Sequence, residues 1–593
     1  MRGVIAASAC LSAAACVNPS ADPRYFGTTR PPDGQVLRYI SGSEPESLDP
    51  QIGSGQPEAR IYIALFEGLT EYDPKTGEAT PALAERWDVA PGNGEFTFHL
   101  RSARWSDGTP ITAEDVVYSI RRGLSPAFAS RTAYMAYDIA YAEALNSGSA
   151  FVRDARTGAF LADPDNPMWR LVVPGDAGER AQLPSDLKSR IDGQEIVPVR
   201  AADLGVEAID ARTVRFRLQR PVPFFPGLLA HQFFRPVPRA AVERYGDAWA
   251  RPGKLTASGA FMLESWKPYD RLTVVRNPMY WDAPSVKLDR ITFYSIEDIT
   301  TMMNLYKAGE VDAVHNHTVP ASWNDRIRGL KDYMNEAENA TEFYYFNTLL
   351  KPVSDVRVRK ALNMAIDKVA LAQFRRTATP LTGFIPHGIF PGYTEAQGDP
   401  FNPGQAKQLL AQAGFRNAAG AYDPSSFPAS EVDINYNTND SNRQVAEFIQ
   451  AQWKQHLGIT IALKNSEFRT FLVTRARKDY KGLARAGWIG DYIDPYTFLS
   501  LLSTDGGENG TGWTDPRYLD LLREANRELD PQKRYQILGR AEALLLEAQP
   551  ILPLFTPATN WLKKPYVKGM YANPVTLHPW KFVYIEHDPS KWD

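Results

Sequence analysis

The stretch ARAGWIGDYIDPYTFL, residues 484–499, gathers Arg485, Trp488, Asp491, Tyr492 and Asp494 within ten residues. It falls where a strand should end in a loop before Pro495. A carboxylate fixed in such a loop restores the field that an organic cation gives up with its water, and Trp488 adds an apolar wall. The competing structural reading pairs Asp491 with Arg485, an ion pair that would only hold the loop. The Gly-rich run from Asn509 to Trp513 is a poor phosphate cradle, because Asp505 and Glu508 sit beside it and no Lys-Ser/Thr follows. It is expected to line a pocket instead. His315 and His317 form a lone His-x-His, two ligands short of a metal site, and are expected on a surface strand. No G-x-S-x-G, H-E-x-x-H or Walker loop occurs, and no cysteine follows Cys16, so the usual enzyme signatures are missing.

Periodicity indicates the elements that must position these residues. VDINYNT (Val432 to Thr438) and ITIALKN (Ile459 to Asn465) alternate like strands on either side of a helix from Arg443 to Leu457. That β-α-β rhythm predicts a mixed α/β (α+β) fold. Further strands are expected at VLRYI (Val36 to Ile40), FTFHL (Phe96 to Leu100), TVRFRL, LTVVR and ITFYSI. Helical spacing marks Ile61 to Leu69, Ala113 to Leu124, 355–375 and 405–415. Thr112 and Asp115 stand in a Ser/Thr-x-x-acid relation that caps the second of these. Residues 146–200, rich in Asp, Gly, Pro and Arg with little periodicity, are expected as a surface insertion.

With 593 residues the chain exceeds one ordinary core, so two or three domains are expected. Lys and Arg total 66 against 69 Asp and Glu, a balance that lacks the basic stripe a nucleic-acid binder needs. Aromatic residues, including 13 Trp and 27 Tyr, suit a large amphipathic cavity. The start, MRGVIAASACLSAAACVNPSADP, combines Arg2, a short apolar run and the small residues Ala13 to Ala15. It reads as an export signal over residues 1–16 with a linker at 17–35. Cys16 stands where a lipoprotein box would place an acylated cysteine. The only other thiol is Cys10, so no disulfide is expected in the body of the chain.

Motifs in collinear order give the chain a family resemblance. They are EPESLDPQ (44–51), LFEGLTEYDPKTGEATPALAERWDV (65–89) and FTFHLRSARWSDGTPITAEDVVYSIRR (96–122). SGAFMLESWKPYDRLTVVRNPMYWD (258–282), KAGEVDAV (307–314), DVRVRKALNMAIDK (355–368), the 484–499 stretch and NGTGW (509–513) follow. Together they resemble the extracytoplasmic solute-binding proteins of the peptide/nickel importer class, above all the oligopeptide-binding ones. The resemblance spans nearly all of residues 36–593.

It implies a periplasmic binding protein-like class II fold, with two lobes, a hinge and a satellite domain. Residues 36–65, 221–345 and 557–593 would form lobe I, 66–220 the satellite and 346–556 lobe II. In such relatives the Asp of W-x-x-D-Y pairs with a peptide's α-ammonium; here that position is Asp491, with Trp488 and Tyr492 beside it. Arg485, Arg475 and Arg443 match basic positions near the ligand carboxylate, and Asn442 stands where a pocket His does. Asn509, Gly510 and Trp513 are expected in a pocket-lining loop. Ser54 replaces an acidic residue of relatives that take basic peptides. The implied ligand is a short peptide, and the implied partners are an inner-membrane ABC permease with its ATPase subunits. No cofactor, metal or catalytic residue is expected, and the chain is expected to be monomeric, either free in the periplasm or lipid-anchored to a membrane. The same fold could instead take a non-peptide amine-bearing solute, a murein peptide, haem or a nickel chelate.

Overall fold

The apolar run VLRYISG forms the strand Val36–Gly42, buried over most of its length. It pairs parallel with Arg290–Ser295 on one side and Ala313–Val314 on the other. The hairpin Phe261–Lys267 and Arg271–Arg276 completes a five-stranded sheet. Helices Gln56–Leu65 and Ile299–Ala308 pack against it. The C-terminal tail returns here, and Trp580 meets Tyr39 and Phe293 edge-on in the core. The computed structural model describes residues 22–592 apart from 54, 165 and 504–508. The expected export signal, Cys10, Cys16, Ser54, Asp505 and Glu508 thus lie outside the described residues.

A second, six-stranded sheet runs in the order Ala378–Pro380, Ile551–Pro557, Ala340–Phe346, Gly482–Ile489, Asp433–Asn437, Ala462–Ser466. Its first four strands are antiparallel and its last three parallel. The parallel edge is the expected β-α-β unit, crossed by the helix Asp440–Leu457. Trp453 of that helix is fully buried and donates its indole N–H to the Leu362 carbonyl at 2.8 Å. Two chain segments, residues 333–346 and 551–562, run side by side between the two sheets. They are bridged at Tyr333–Leu562, Ala337–Ala558 and Glu342–Phe555.

A third sheet, antiparallel, orders Ala84–Val89, Glu95–Leu100, Thr213–Arg217 and Val206–Asp210. Its inward alternation stacks Phe96, Phe98, Phe216 and Phe225. The helix Ala113–Gly123 starts as expected: the Asp115 carboxylate accepts from the Thr112 backbone N–H at 2.8 Å. Within 146–200 stands a small unit of its own, with a three-stranded sheet and two short helices around Val152, Leu171 and Val173. Its elements are two to seven residues long, too short for periodicity to register. Among the described residues, no helix is long and apolar enough to cross a membrane.

Candidate ligand cleft

Strand Gly482–Ile489 lies against Ala340–Phe346, whose seven residues are all buried. Arg485 forks onto Glu342 of that neighbour, with both N–O contacts at 2.6 Å. Gly487 sits opposite Glu342, and a Cβ there would stand 2.8 Å from the carboxylate. The missing side chain is what makes room for the ion pair. Beyond the strand, the loop is fastened at several points. Gly490 donates to the Asn339 carbonyl at 2.7 Å, and the Asn339 amide reaches back to Tyr492 O at 3.1 Å. Any side chain at Gly490 would collide with that amide. The Thr497 hydroxyl accepts from the Trp488 indole at 3.1 Å and from the Asp491 backbone N–H at 3.2 Å. Asp494 pairs with buried Arg534, and Tyr492 stacks on Phe224, ring centroids 4.1 Å apart. These contacts fix the loop, and Asp491 lies exposed on the wall of a cleft.

This cleft has a volume of about 730 Å³. The first lobe contributes the loop Ser41 to Ser43, Arg60, Met302 and the turn at His315 to His317. Tyr134 comes from the part built on the third sheet, His231 from the segment that follows it, Ile489 to Asp491 from the end of a second-sheet strand and its loop, and Pro574 to Leu577 from the tail. Its mouth is apolar: Tyr134, Ile299 and Ile489 are 55%, 41% and 72% exposed. Partial burial and the Asp491 charge raise the Tyr134 phenol above its ordinary value.

Of the ten expected ligand residues, Asp491 lines this cleft and the rest are engaged elsewhere. Arg485 pairs with Glu342, not with Asp491, so it is neither a loose cation nor the loop clamp. Trp488 and Tyr492 brace the loop from behind. The Arg475 guanidinium lies over the Tyr345 and Phe471 rings. Arg443 is on an exposed helix face, paired with Asp440 and Glu447. Asn442 bonds back to Asn437, a local turn contact. Asn509 spends its amide on Leu502 and Trp513 carbonyls and its oxygen on Thr511. Gly510 packs under Tyr345 and offers its carbonyl to Tyr480, and Trp513 lies edge-on to Tyr518. The loop's polar groups are thus spent on contacts within it and with Tyr480.

The expectation of a surface strand for His315 and His317 needs correction. The strand Ala313–Val314 is buried and ends before them, and both histidines face the cleft. His317 lies 3.2 Å from Glu338, but no group of three or more potential metal ligands exists among the described residues. Arg60, His231 and Glu338 were not legible in the sequence. Arg60 sits inside an apolar helical run, and the others reach the cleft only through long-range folding.

Burial and the neighbouring Arg235 charge lower His231 to about 4, and burial with Arg60 does the same for His315. Both are neutral near pH 7. Because the native state resists their protonation, stability is whole above the ordinary histidine value of about 6.5 and drains as pH falls toward about 4. Melting temperature followed between pH 6.5 and 5 should therefore fall less steeply in His231→Gln than in the wild type. Equal slopes would contradict this assignment.

Two sheets joined by paired crossing segments, with a cleft between them, define a two-lobed class II binding-protein fold. A family model of the bacterial extracellular solute-binding proteins, family 5, middle region, matches residues 78–510. The chain is 32% identical over 555 residues to the periplasmic oligopeptide-binding protein OppA of Salmonella typhimurium, covering 91% of this chain and 90% of OppA. It is also 32% identical over 562 residues to the probable deoxycholate-binding periplasmic protein YgiS of Escherichia coli, covering 93% and 94%. The solved structure of the murein tripeptide-binding protein MppA, in its unliganded open form, superposes with a TM-score of 0.76 at 30% identity, covering 94% and 99%. The chain belongs to the family 5 bacterial extracellular solute-binding proteins.

Proposed function

We propose that the protein is a non-catalytic periplasmic receptor that closes around a short peptide and delivers it to an inner-membrane ABC permease driven by ATPase subunits. One observation carries this reading: an acidic residue, Asp491, on a loop held by Thr497 and Asn339, lines a cleft walled by both lobes. A peptide amine buried there would keep a counter-charge it otherwise loses. A ligand that touches both walls binds the closed state better and shifts the balance toward closure. Backbone hydrogen bonds to strand edges, with side chains in roomy wet pockets, would tolerate many sequences. The names of OppA and MppA, an oligopeptide binder and a murein tripeptide binder, support a peptide ligand.

We further assign residues 36–65, 221–345 and 557–593 to lobe I, 66–220 to a satellite domain and 346–556 to lobe II. Residues 1–16 are proposed as the export signal, with Cys16 a candidate lipid anchor. The protein would act as a monomer. A second reading, a non-peptide solute, draws on the equal identity to YgiS, whose name specifies deoxycholate. Native mass spectrometry of the protein isolated from its host separates the two, since a co-purifying short peptide supports only the first.

A further inference from the structure

Four arginines are buried among the described residues: Arg60, Arg235, Arg359 and Arg534. Three have their charge or their donors answered. Arg235 forks onto Glu71 and Arg534 onto Asp494. Arg359 donates to four carbonyl oxygens, those of Gln549, Val353, Ser354 and Ala548. Arg60 differs. It makes one hydrogen bond, to the Ser41 carbonyl at 2.8 Å; its Nε has no partner, as is also true of Arg235 and Arg534, but those two have a carboxylate and Arg60 does not. No carboxylate of the described residues pairs with it. It is only 5% exposed, yet it lies on the cleft wall.

A buried guanidinium without a counter-charge costs several kcal/mol. Its planar fork of five donors is matched by a carboxylate, which accepts two of them at once. The groups beside Arg60 bring no negative charge. Ser41 and Ser43 are neutral hydroxyls, Gly42 has no side chain, and His315 is an uncharged imidazole. The three acids of the cleft lie on other elements: Glu297 precedes the helix Ile299–Ala308, Glu338 is held by Asn316 and His317, and Asp491 stands on the opposite lobe.

We propose that Arg60 is an anion-recognition subsite, and that the ligand of this cleft carries a carboxylate that completes it. Together with the amine-binding role proposed for Asp491, on which the peptide part of this inference rests, the cleft would read one ligand by two opposite charges. Either the terminal carboxylate of a short peptide or an acidic side chain could supply the group.

Calorimetry on the full chain distinguishes these sources and tests the subsite. The probes are Ala-Ala-Ala, its C-terminal amide, and Ala-Glu-Ala, each against wild type and Arg60→Gln. In the wild type, amidation should weaken binding, or the glutamate strengthen it, by about tenfold or more. Amide sensitivity assigns the terminal carboxylate, and a glutamate preference assigns the side chain. In Arg60→Gln that difference should shrink to roughly threefold or less, while Arg60→Lys, which keeps charge without the fork, should fall between. A difference that persists in Arg60→Gln, or no carboxylate dependence in the wild type, overturns the proposal. N-acetylglutamate, which has no amine, gives a second readout by thermal shift. It should raise the melting temperature of the wild type and leave Arg60→Gln unmoved. An equal shift in both, or none in the wild type, also overturns it. Binding of N-acetylglutamate through Arg60 with no tripeptide bound would instead retain the anion subsite and remove the peptide reading.

Discussion

Replacing Asp491 with Asn should weaken tripeptide binding by about 1.5–3 kcal/mol, roughly 10- to 150-fold. The substitution removes a charge and keeps the shape. Backbone and neighbouring contacts hold the loop: Thr497 accepts from the Asp491 backbone N–H, and Asn339 and Arg534 hold its flanks. With denaturant unfolding of variant and wild type equal, a loss of affinity reports the ligand contact and not a displaced loop; unequal unfolding would assign the effect to the loop. The size follows from the asymmetry of buried charge, since an ammonium enclosed without its carboxylate retains its full desolvation cost. Titration calorimetry with an unmodified tripeptide reads it, and unchanged affinity would take Asp491 out of the site.

The largest stability effect should come from Asp494, three residues on. Asp494 and Arg534 are 8% and 5% exposed in their side chains and meet through two hydrogen bonds, at 2.5 and 2.9 Å. Burial alone would lower the Arg534 guanidinium, but the Asp494 charge outweighs it and raises it. Asp494→Asn would leave that guanidinium buried without a counter-charge, at a cost of about 3–5 kcal/mol. Asp494 also accepts from the Tyr496 backbone N–H at 2.9 Å, so the turn after the ligand loop should loosen as well. Denaturant unfolding should show the full loss in Asp494→Asn. The paired change Asp494→Leu with Arg534→Met should recover most of it, because removing both charges removes the uncompensated one. A single-variant loss under about 1 kcal/mol would mean that water reaches the pair and screens it.

The elements that matter most were legible where one face is buried and the period is clean. FTFHL alternates because Phe96, Phe98 and Leu100 point into the third sheet's core while their neighbours do not. The β-α-β unit around Asp440–Leu457 followed from the same logic. The helix expected over Ile61 to Leu69 instead runs Gln56–Leu65, with a proline in its first turn. That proline is a start signal, because the first turn of a helix has no use for its missing N–H.

A family motif singled out Asp491, which lines the cleft, and Pro495 marked the end of its strand. Arg485, expected either near a ligand carboxylate or paired with Asp491, pairs instead with Glu342, which lies 143 residues away on the adjacent strand. No local pattern carries that information. Arg60 shows the limit from the other side. A charged residue inside an apolar helix usually points outward, and only the packed structure places this one in a cleft with a single hydrogen bond. The Asn509 side chain is spent inside its own loop, and residues 509–513 do not line the cleft.

The most direct measurement is the mass of the native complex, taken gently from protein purified out of its own host. Our account requires an added mass equal to one or several short peptides, which on release fragment as chains with a free amino terminus. A single steroid acid or a metal chelate in that place would contradict it, and would leave a two-lobed receptor whose cleft serves other chemistry.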